Sequence, residues 1–281
     1  VIMFWVLLAV ICYSISSLGD KYISVNLKCT TGEFSFIVSI ATAFWITLLL
    51  PFTGWQFENT LANGIILLSL AGWKVLEFYT SALLLKSVSA YELKAWLGLN
   101  IIFSYLSNLI RGQDTVNLEV FISCIPLLWG IYWIIKSRYK KEDKRSIKKM
   151  IILSLFYIAA KFGYGLMLGM MSKGCKTISV LWIVMVIVAL TQLPRVKLKE
   201  IMKKKGLFNA YVTRIPNAAG LLTEAMAAME NVFLYAMIQP VQLAILFIIA
   251  LLKREELGKI KIAGSMLSIL AVVLITVFLK L

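Results

Sequence analysis

The sequence predicts an all-α integral membrane protein, with ten transmembrane helices forming two inverted five-helix repeats around a central cavity. Three observations lead there. The first is composition: of 281 residues, 60% are hydrophobic and only 15% are charged, with a mean hydropathy of +0.87. Soluble domains are closer to half apolar and a quarter charged. A chain this long has no core large enough to hide the excess, which excludes a soluble globular enzyme. The second is continuity: apolar runs near the length of a bilayer crossing, about 20 residues, recur along the whole chain. The third is charge sorting. The formal net charge is +15, from 29 Lys and Arg against 14 Asp and Glu, and the basic residues are clustered rather than scattered.

The spans follow in order. Span 1 covers 2–19. Its opening run has the composition of a signal-peptide core, but no basic stretch precedes it and no small-x-small site closely follows, so it reads as a membrane span. Span 2 (34–52) closes on Leu48-Leu-Leu-Pro51, and spans 3 (61–84) and 4 (88–110) are parted by a short break at Lys86. Span 5 (116–136) ends where the longest polar break, Lys136 to Lys149, begins. Span 6 covers 150–171, and span 7 (175–194) ends at Pro194. Span 8 (208–228) is rich in Ala and only weakly apolar, as suits a helix shielded from lipid. Span 9 (231–252) carries Pro240, expected to kink or break it, and span 10 (258–279) carries Gly264. The runs are continuous, not alternating, so they are helices and not barrel strands. The organisation is a first repeat over 1–136, a basic connecting loop over 137–149, and a second repeat over 150–281.

Eighteen of the 29 basic residues lie in three loops, at 136–149, 195–205 and 253–261. All three follow odd-numbered spans and so share one side of the membrane. Lys21, Lys28 and Lys86 join them, while Arg111, Lys173, Lys176 and Lys280 fall opposite. The positive-inside rule puts the basic loops in the cytosol of a multi-pass plasma (inner) membrane protein, with both termini outward. No aromatic interleaving accompanies the basic runs, so nucleic acid is not an expected partner.

The halves echo each other at an offset near 143 residues. Gly19 corresponds to Gly163, each following a tyrosine (Tyr13, Tyr157), and Pro51 corresponds to Pro194. Arg111-Gly-Gln-Asp114 after span 4 corresponds to Lys253-Arg-Glu-Glu256 after span 9. An odd number of helices per copy inverts the second copy across the membrane, an arrangement that marks secondary transporters with a substrate site near the midplane. Met237-Ile-Gln-Pro240 through Glu256, then Gly258 and Gly264-Ser-Met-Leu, resembles the EamA-like branch of the drug/metabolite transporter superfamily. That family has a proline-bearing ninth helix, a short acidic break and a Gly-containing tenth helix. The first-half counterpart, from Leu97-Gly-Leu-Asn to Asp114, has Gly98 in place of the proline. The resemblance extends over the whole chain in length, span number and repeat. It implies a cavity lined by spans 1, 3, 4, 6, 8 and 9, and export or exchange of small metabolites without ATP. Such proteins usually keep both termini in the cytosol, and the charge bias of this chain argues the reverse.

Other counts narrow the chemistry. There is no His, which removes His-based triads, proton switches and metal sites. Cys12, Cys29, Cys124 and Cys175 form no C-x-x-C pair and read as small apolar residues. No Walker A or Gly-x-Gly-x-x-Gly motif is present. The expectation is a non-enzyme without cofactor or metal.

Charges inside spans cost roughly 2.5–3.5 kcal/mol at the bilayer centre, so they should face protein or water. Helical spacing groups them. Lys74 and Glu77 share a face of span 3 with Ser81. Trp96 and Asn100 share one with Glu92 in span 4, and Tyr157 and Lys161 one with Tyr164 in span 6. Span 8 aligns Arg214, Asn217 and Glu224, span 9 aligns Gln239 and Gln242 with Tyr235, and span 1 aligns Tyr13, Ser17 and Asp20. A cavity with both charge signs suits a zwitterion or other polar organic solute, such as an amino acid, with a coupling proton on Glu77 or Glu224. The structural alternatives are Lys74–Glu77 neutralisation within one helix, interhelical hydrogen bonding by the glutamines, and snorkelling of Glu92 and Lys94 to the interface. Lys74, Lys161 and Arg214 also suit a phosphorylated sugar or nucleotide-type anion. A membrane enzyme would need a carboxylate or metal cluster at one face, and a scaffold would not need polar faces on six helices.

Overall fold

The computed structural model describes residues 2–112, 115–138, 144–171, 174–230, 232–252 and 258–278. Every regular element among them is helical. The first half holds α1 (Ile2–Lys21, running on as a π-helical turn over Tyr22–Asn26), α2 (Thr31–Thr53), α3 (Leu61–Leu85), α4 (Ala90–Leu97), α5 (Leu99–Ile110) and α6 (Leu118–Arg138). The second holds α7 (Lys144–Leu168), α8 (Thr177–Gln192), the short α9 (Leu198–Met202) and α10 (Leu207–Val212), then α11 (Arg214–Glu230), α12 (Val232–Leu252) and α13 (Lys259–Phe278). Among the described residues, seven segments are long and apolar enough to cross a membrane: Trp5–Asn26, Thr31–Thr53, Leu61–Leu85, Ala90–Ile110, Leu118–Ser137, Arg145–Leu168 and Thr177–Arg195.

Local chemistry accounts for several helix starts. Thr30 with Glu33, and Ser89 with Glu92, form reciprocal capping boxes that start α2 and α4, and Thr60 caps α3. Pro216 sits in the first turn of α11, where its missing N–H costs nothing. Two expected spans are interrupted at single residues. Gly98 separates α4 from α5, and Thr213 separates α10 from α11. Pro240, by contrast, does not break its helix, and α12 continues through it. The stretch 137–149 is not all loop either: α7 begins at Lys144, because Lys and Arg are good helix formers and a charge run does not end a helix. Residues 139–143 and 253–257 lie outside the described residues, and with them parts of two basic loops.

The bundle is turned inside out relative to a soluble protein. Leu7, Ile11 and Ile15 form an exposed stripe along α1, as do Ile122, Ile125 and Trp129 on α6 and Met266, Leu270 and Val273 on α13. Lys74, Glu77, Lys94, Lys161, Arg214 and Glu224 are buried. This distribution fits a multi-span membrane protein, whose solvent is apolar. All four cysteines are free.

The most extensive helix pairings are α6 with α13, α1 with α11, α3 with α7 and α2 with α8, followed by contacts of α12 with α1 and α4. Cross-bundle bonds tie loops together at each end. At one end, Lys204 Nζ bonds Leu27 O (3.2 Å) and Glu33 Oε2 (2.8 Å), and Lys261 pairs with Glu92 (2.7 Å). At the other, Lys176 Nζ bonds Thr53 O (2.9 Å) and Asn117 Nδ2 bonds Phe278 O (3.2 Å).

The α6–α13 pair depends on two glycines. A Cβ on Gly264 would lie 2.7 Å from Gly130 O, and one on Gly130 would lie 2.6 Å from Gly264 O. Small residues that let backbones approach are a driving feature of helix association in lipid. Gly264→Leu is therefore expected to lower stability by about 1–3 kcal/mol, read as a fall in melting temperature of the detergent-solubilised protein. Gly72→Ala in α3, where an added Cβ meets nothing within 4 Å, should be neutral or stabilising by about 0.5–1 kcal/mol. Equal melting shifts for the two variants would refute the close-approach account.

Candidate functional site

Four helices bring a continuous ionic chain together at mid-depth. Lys74 and Glu77 lie one turn apart on α3, with Nζ 2.8 Å from Oε2. Lys161 of α7 reaches the other oxygen of Glu77 at 3.2 Å and Glu224 Oε1 of α11 at 3.1 Å. Tyr13 of α1 donates its hydroxyl to Glu224 Oε2. The chain Lys74–Glu77–Lys161–Glu224–Tyr13 therefore alternates in sign and carries two cations against two carboxylates. All five side chains are buried. Aromatic faces complete the cation environment: the Lys74 ammonium lies 4.2 Å from the Tyr164 ring centre, and that of Lys161 lies 5.4 Å from the Tyr13 ring centre. Pairing is what makes such burial tolerable, since an isolated charge at this depth is strongly disfavoured.

A second polar network continues toward the end that carries Lys204 and Lys261. Arg214, fully buried at the start of α11, pairs with Asp20 at 2.6 Å and donates to Ser16 O at 3.2 Å. Asn217 accepts from Ser16 Oγ (3.0 Å) and donates to Thr42 Oγ1 (2.9 Å), which ties α11 to α1 and α2. Gln242 Nε2 donates to Ser17 Oγ at 2.7 Å, joining α12 to α1.

Between the networks lies a cavity of about 40 Å³, room for about three waters. Lys74, Glu77, Lys161, Lys94 and Asp20 supply its charges, and Phe34, Phe78 and Tyr157 its aromatic wall. Ligand pockets are usually about 300–1,000 Å³. The site is thus closed on its own ion pairs, and a solute enters only if these pairs or their helices move.

Of the candidates named from the sequence, Lys74, Glu77, Tyr157, Lys161 and Asn217 line the cavity. Glu224, Arg214 and Gln242 sit directly behind it, each bonded to a side chain that lines it. Trp96 and Asn100 do not line it. Trp96 packs in the apolar core, and neither amide atom of buried Asn100 has a partner among the described residues. The side chain of Gln239 lies outside the described residues. Glu92 and Lys94 do not reach out to the interface: both are buried, Glu92 held by Lys261 and its capping box, and Lys94 turned to the cavity. Span 2 had no expected role, yet Phe34, Val38 and Thr42 present one face at four-residue spacing to the cavity and to Asn217. Thr42, a hydroxyl within an apolar run, was the available signal.

No protein-family model and no curated protein matches this chain.

Proposed function

We propose that the chain is a secondary transporter that exports or exchanges small polar organic solutes, zwitterions such as amino acids foremost, by alternating access without ATP. The observation that carries this reading is the closed, charge-balanced cluster of Lys74, Glu77, Lys161 and Glu224 at mid-depth, contributed by helices of both halves. A solute ammonium competes with Lys161 for the carboxylates, a solute carboxylate competes with Glu77 for the lysines, and the aromatic wall packs on the body. Lys74 and Lys161 are matched by Glu77 and Glu224, an arrangement that a zwitterion can re-pair group for group.

We take the architecture to be ten spans in two inverted repeats, similar to the EamA-like branch of the drug/metabolite transporter superfamily. The helix pairings support this. Exchanging each span of the first half for its counterpart in the second turns α1–α11 into α7–α3 and leaves α2–α8, α4–α12 and α6–α13 unchanged. The matched glycines agree. A Cβ on Gly19 would strike Thr213 and Arg214 (2.6 and 2.7 Å), and one on Gly163 would strike the Trp73 ring (2.5 Å), each at the crossing that the exchange relates. The end bearing Lys28, Lys204 and Lys261 is read as cytosolic.

The test is purified protein reconstituted in liposomes and assayed by counterflow of amino acids, purines and phosphorylated sugars. A melting-temperature screen of the same compounds runs beside it. Flux and stabilisation by a zwitterion are expected, both lost in Glu77→Gln. Flux of phosphorylated sugars alone, or no flux with a protein partner co-purifying in fixed ratio, would overturn the reading.

A further inference from the structure

A second cavity lies away from the central cluster, on the lipid-facing side of the α6–α13 pair. It measures about 400 Å³ and is bounded by Trp133 and Lys136 of α6 and by Lys259, Ile260 and Ala263 of α13. Its position is set by the glycine contact below it: Gly264 abuts the base of Trp133, with an added Cβ 3.1 Å from Trp133 Cβ. The groove lies at the end of the bundle where α6 finishes and α13 begins.

Two features of this groove together suit an amphipathic, anionic occupant. Its walls are apolar, yet its rim carries two exposed lysines. Neither Lys136 nor Lys259 has a carboxylate partner among the described residues, and the Lys136 ammonium rests 5.7 Å from the Tyr132 ring centre. Lys261, two residues on, points inward and is paired with Glu92 at 2.7 Å. So the first turn of α13 neutralises its inner lysine, while the one on the groove has no carboxylate partner among the described residues. More basic groups stand at the same end, with Arg145, Lys148 and Lys149 exposed on the first turns of α7. A tryptophan beside unpaired lysines at the end of apolar helices matches the depth of lipid headgroups.

We infer that this groove is a binding site for an anionic phospholipid: the headgroup phosphate bridges Lys136 and Lys259, and an acyl chain lies along Trp133, Ile260 and Ala263. Basic pockets between membrane helices on the cytoplasmic side suit such headgroups, and the attraction per lysine is enough for two to give a preference of roughly 30-fold over a zwitterionic lipid. This inference is independent of any transport function.

The test is native mass spectrometry of the full chain in detergent with phosphatidylglycerol, phosphatidylcholine or inorganic phosphate added separately. The expected result is retention of one phosphatidylglycerol roughly 30-fold better than phosphatidylcholine. That preference should be lost in Lys136→Gln/Lys259→Gln, and phosphate alone should neither bind nor compete at matched concentration. Two measurements guard against a misfolded double variant. Ala263→Trp keeps both lysines but fills the groove, and should also lose the lipid. Brominated phosphatidylglycerol should quench wild-type fluorescence more than that of Trp133→Phe. Unchanged preference in the lysine or Ala263→Trp variants, equal retention of both lipids, or stabilisation by phosphate alone would overturn the assignment.

Discussion

Replacing Lys161 with methionine is expected to abolish flux and to lower stability by about 3–5 kcal/mol. Lys161 touches both carboxylates of the central chain, Glu77 at 3.2 Å and Glu224 at 3.1 Å. Methionine keeps most of the volume, so the change isolates the charge. Without it, Glu77 retains Lys74, and Glu224 keeps the Tyr13 hydroxyl but loses the Lys161 cation while still buried. The cost is that of a buried carboxylate deprived of a cation rather than of one hydrogen bond, and this is why the estimate exceeds the roughly 1 kcal/mol net value of an ordinary hydrogen bond. Adding Glu224→Gln to Lys161→Met removes the stranded charge and should recover about half the lost stability, without recovering flux. The exposed pair Lys197–Glu200, at 3.0 Å with side chains 78% and 60% exposed, supplies the contrast: Lys197→Met should stay within about 0.5 kcal/mol of the parent. Melting in detergent and counterflow in liposomes read both quantities. Lys161→Met with parental melting and flux would remove the ion chain from the mechanism.

The parts of this site that were legible in the sequence are those where a charge interrupts an apolar run. Lys74, Glu77, Lys161, Arg214 and Glu224 stand out because lipid-length helices rarely carry such residues, and spacing alone assigns each to a face. Which faces meet was not legible. The bonds that build the chain join residues 63 positions apart (Lys161 to Glu224) or 211 apart (Tyr13 to Glu224), and no local pattern encodes such pairings. Lys94 shows the limit most clearly. By position it belongs at a span end, where snorkelling is the ordinary outcome. The orientation of α4 against α12 and α3 turns it inward instead. Asn100 is the converse, a polar residue on a plausible face whose helix packs elsewhere after the break at Gly98. The face of Phe34 and Val38 was hidden for a third reason: an apolar side chain reads the same whether it faces lipid, core or cavity.

Neutralising the acidic members of three ion pairs at the basic end is expected to open that end roughly 100-fold more often. Asp20 with Arg214 (2.6 Å), Glu33 with Lys204 (2.8 Å) and Glu92 with Lys261 (2.7 Å) each join an element of the first half to one of the second. All three must part before the halves can separate there. At about 1 kcal/mol per partly buried pair they total about 3 kcal/mol, or about two decades in an equilibrium constant. Ser81 lines the cavity, so Ser81→Cys, on a background without the four native cysteines, reports opening through its rate of labelling by a membrane-impermeant maleimide applied from the basic side. Asp20→Asn/Glu33→Gln/Glu92→Gln should raise that rate by roughly 100-fold and each single change by roughly 5-fold. Burial alone would push the Lys204 ammonium down, but the hydrogen bond to Glu33, with the Cys29 thiol and the Glu33 charge beside it, outweighs this and holds the group above its ordinary 10.5. A folded-state value raised in this way keeps its stabilisation in full below the ordinary lysine range and loses it only as pH climbs through the raised value. Labelling of the parent, divided at each pH by the rate of a free cysteine because only the thiolate reacts, should therefore stay flat from about pH 6 to 9. An unchanged rate in the triple variant with parental melting would show that these pairs do not hold the end shut, and a step near neutral pH would assign control to a group other than Lys204.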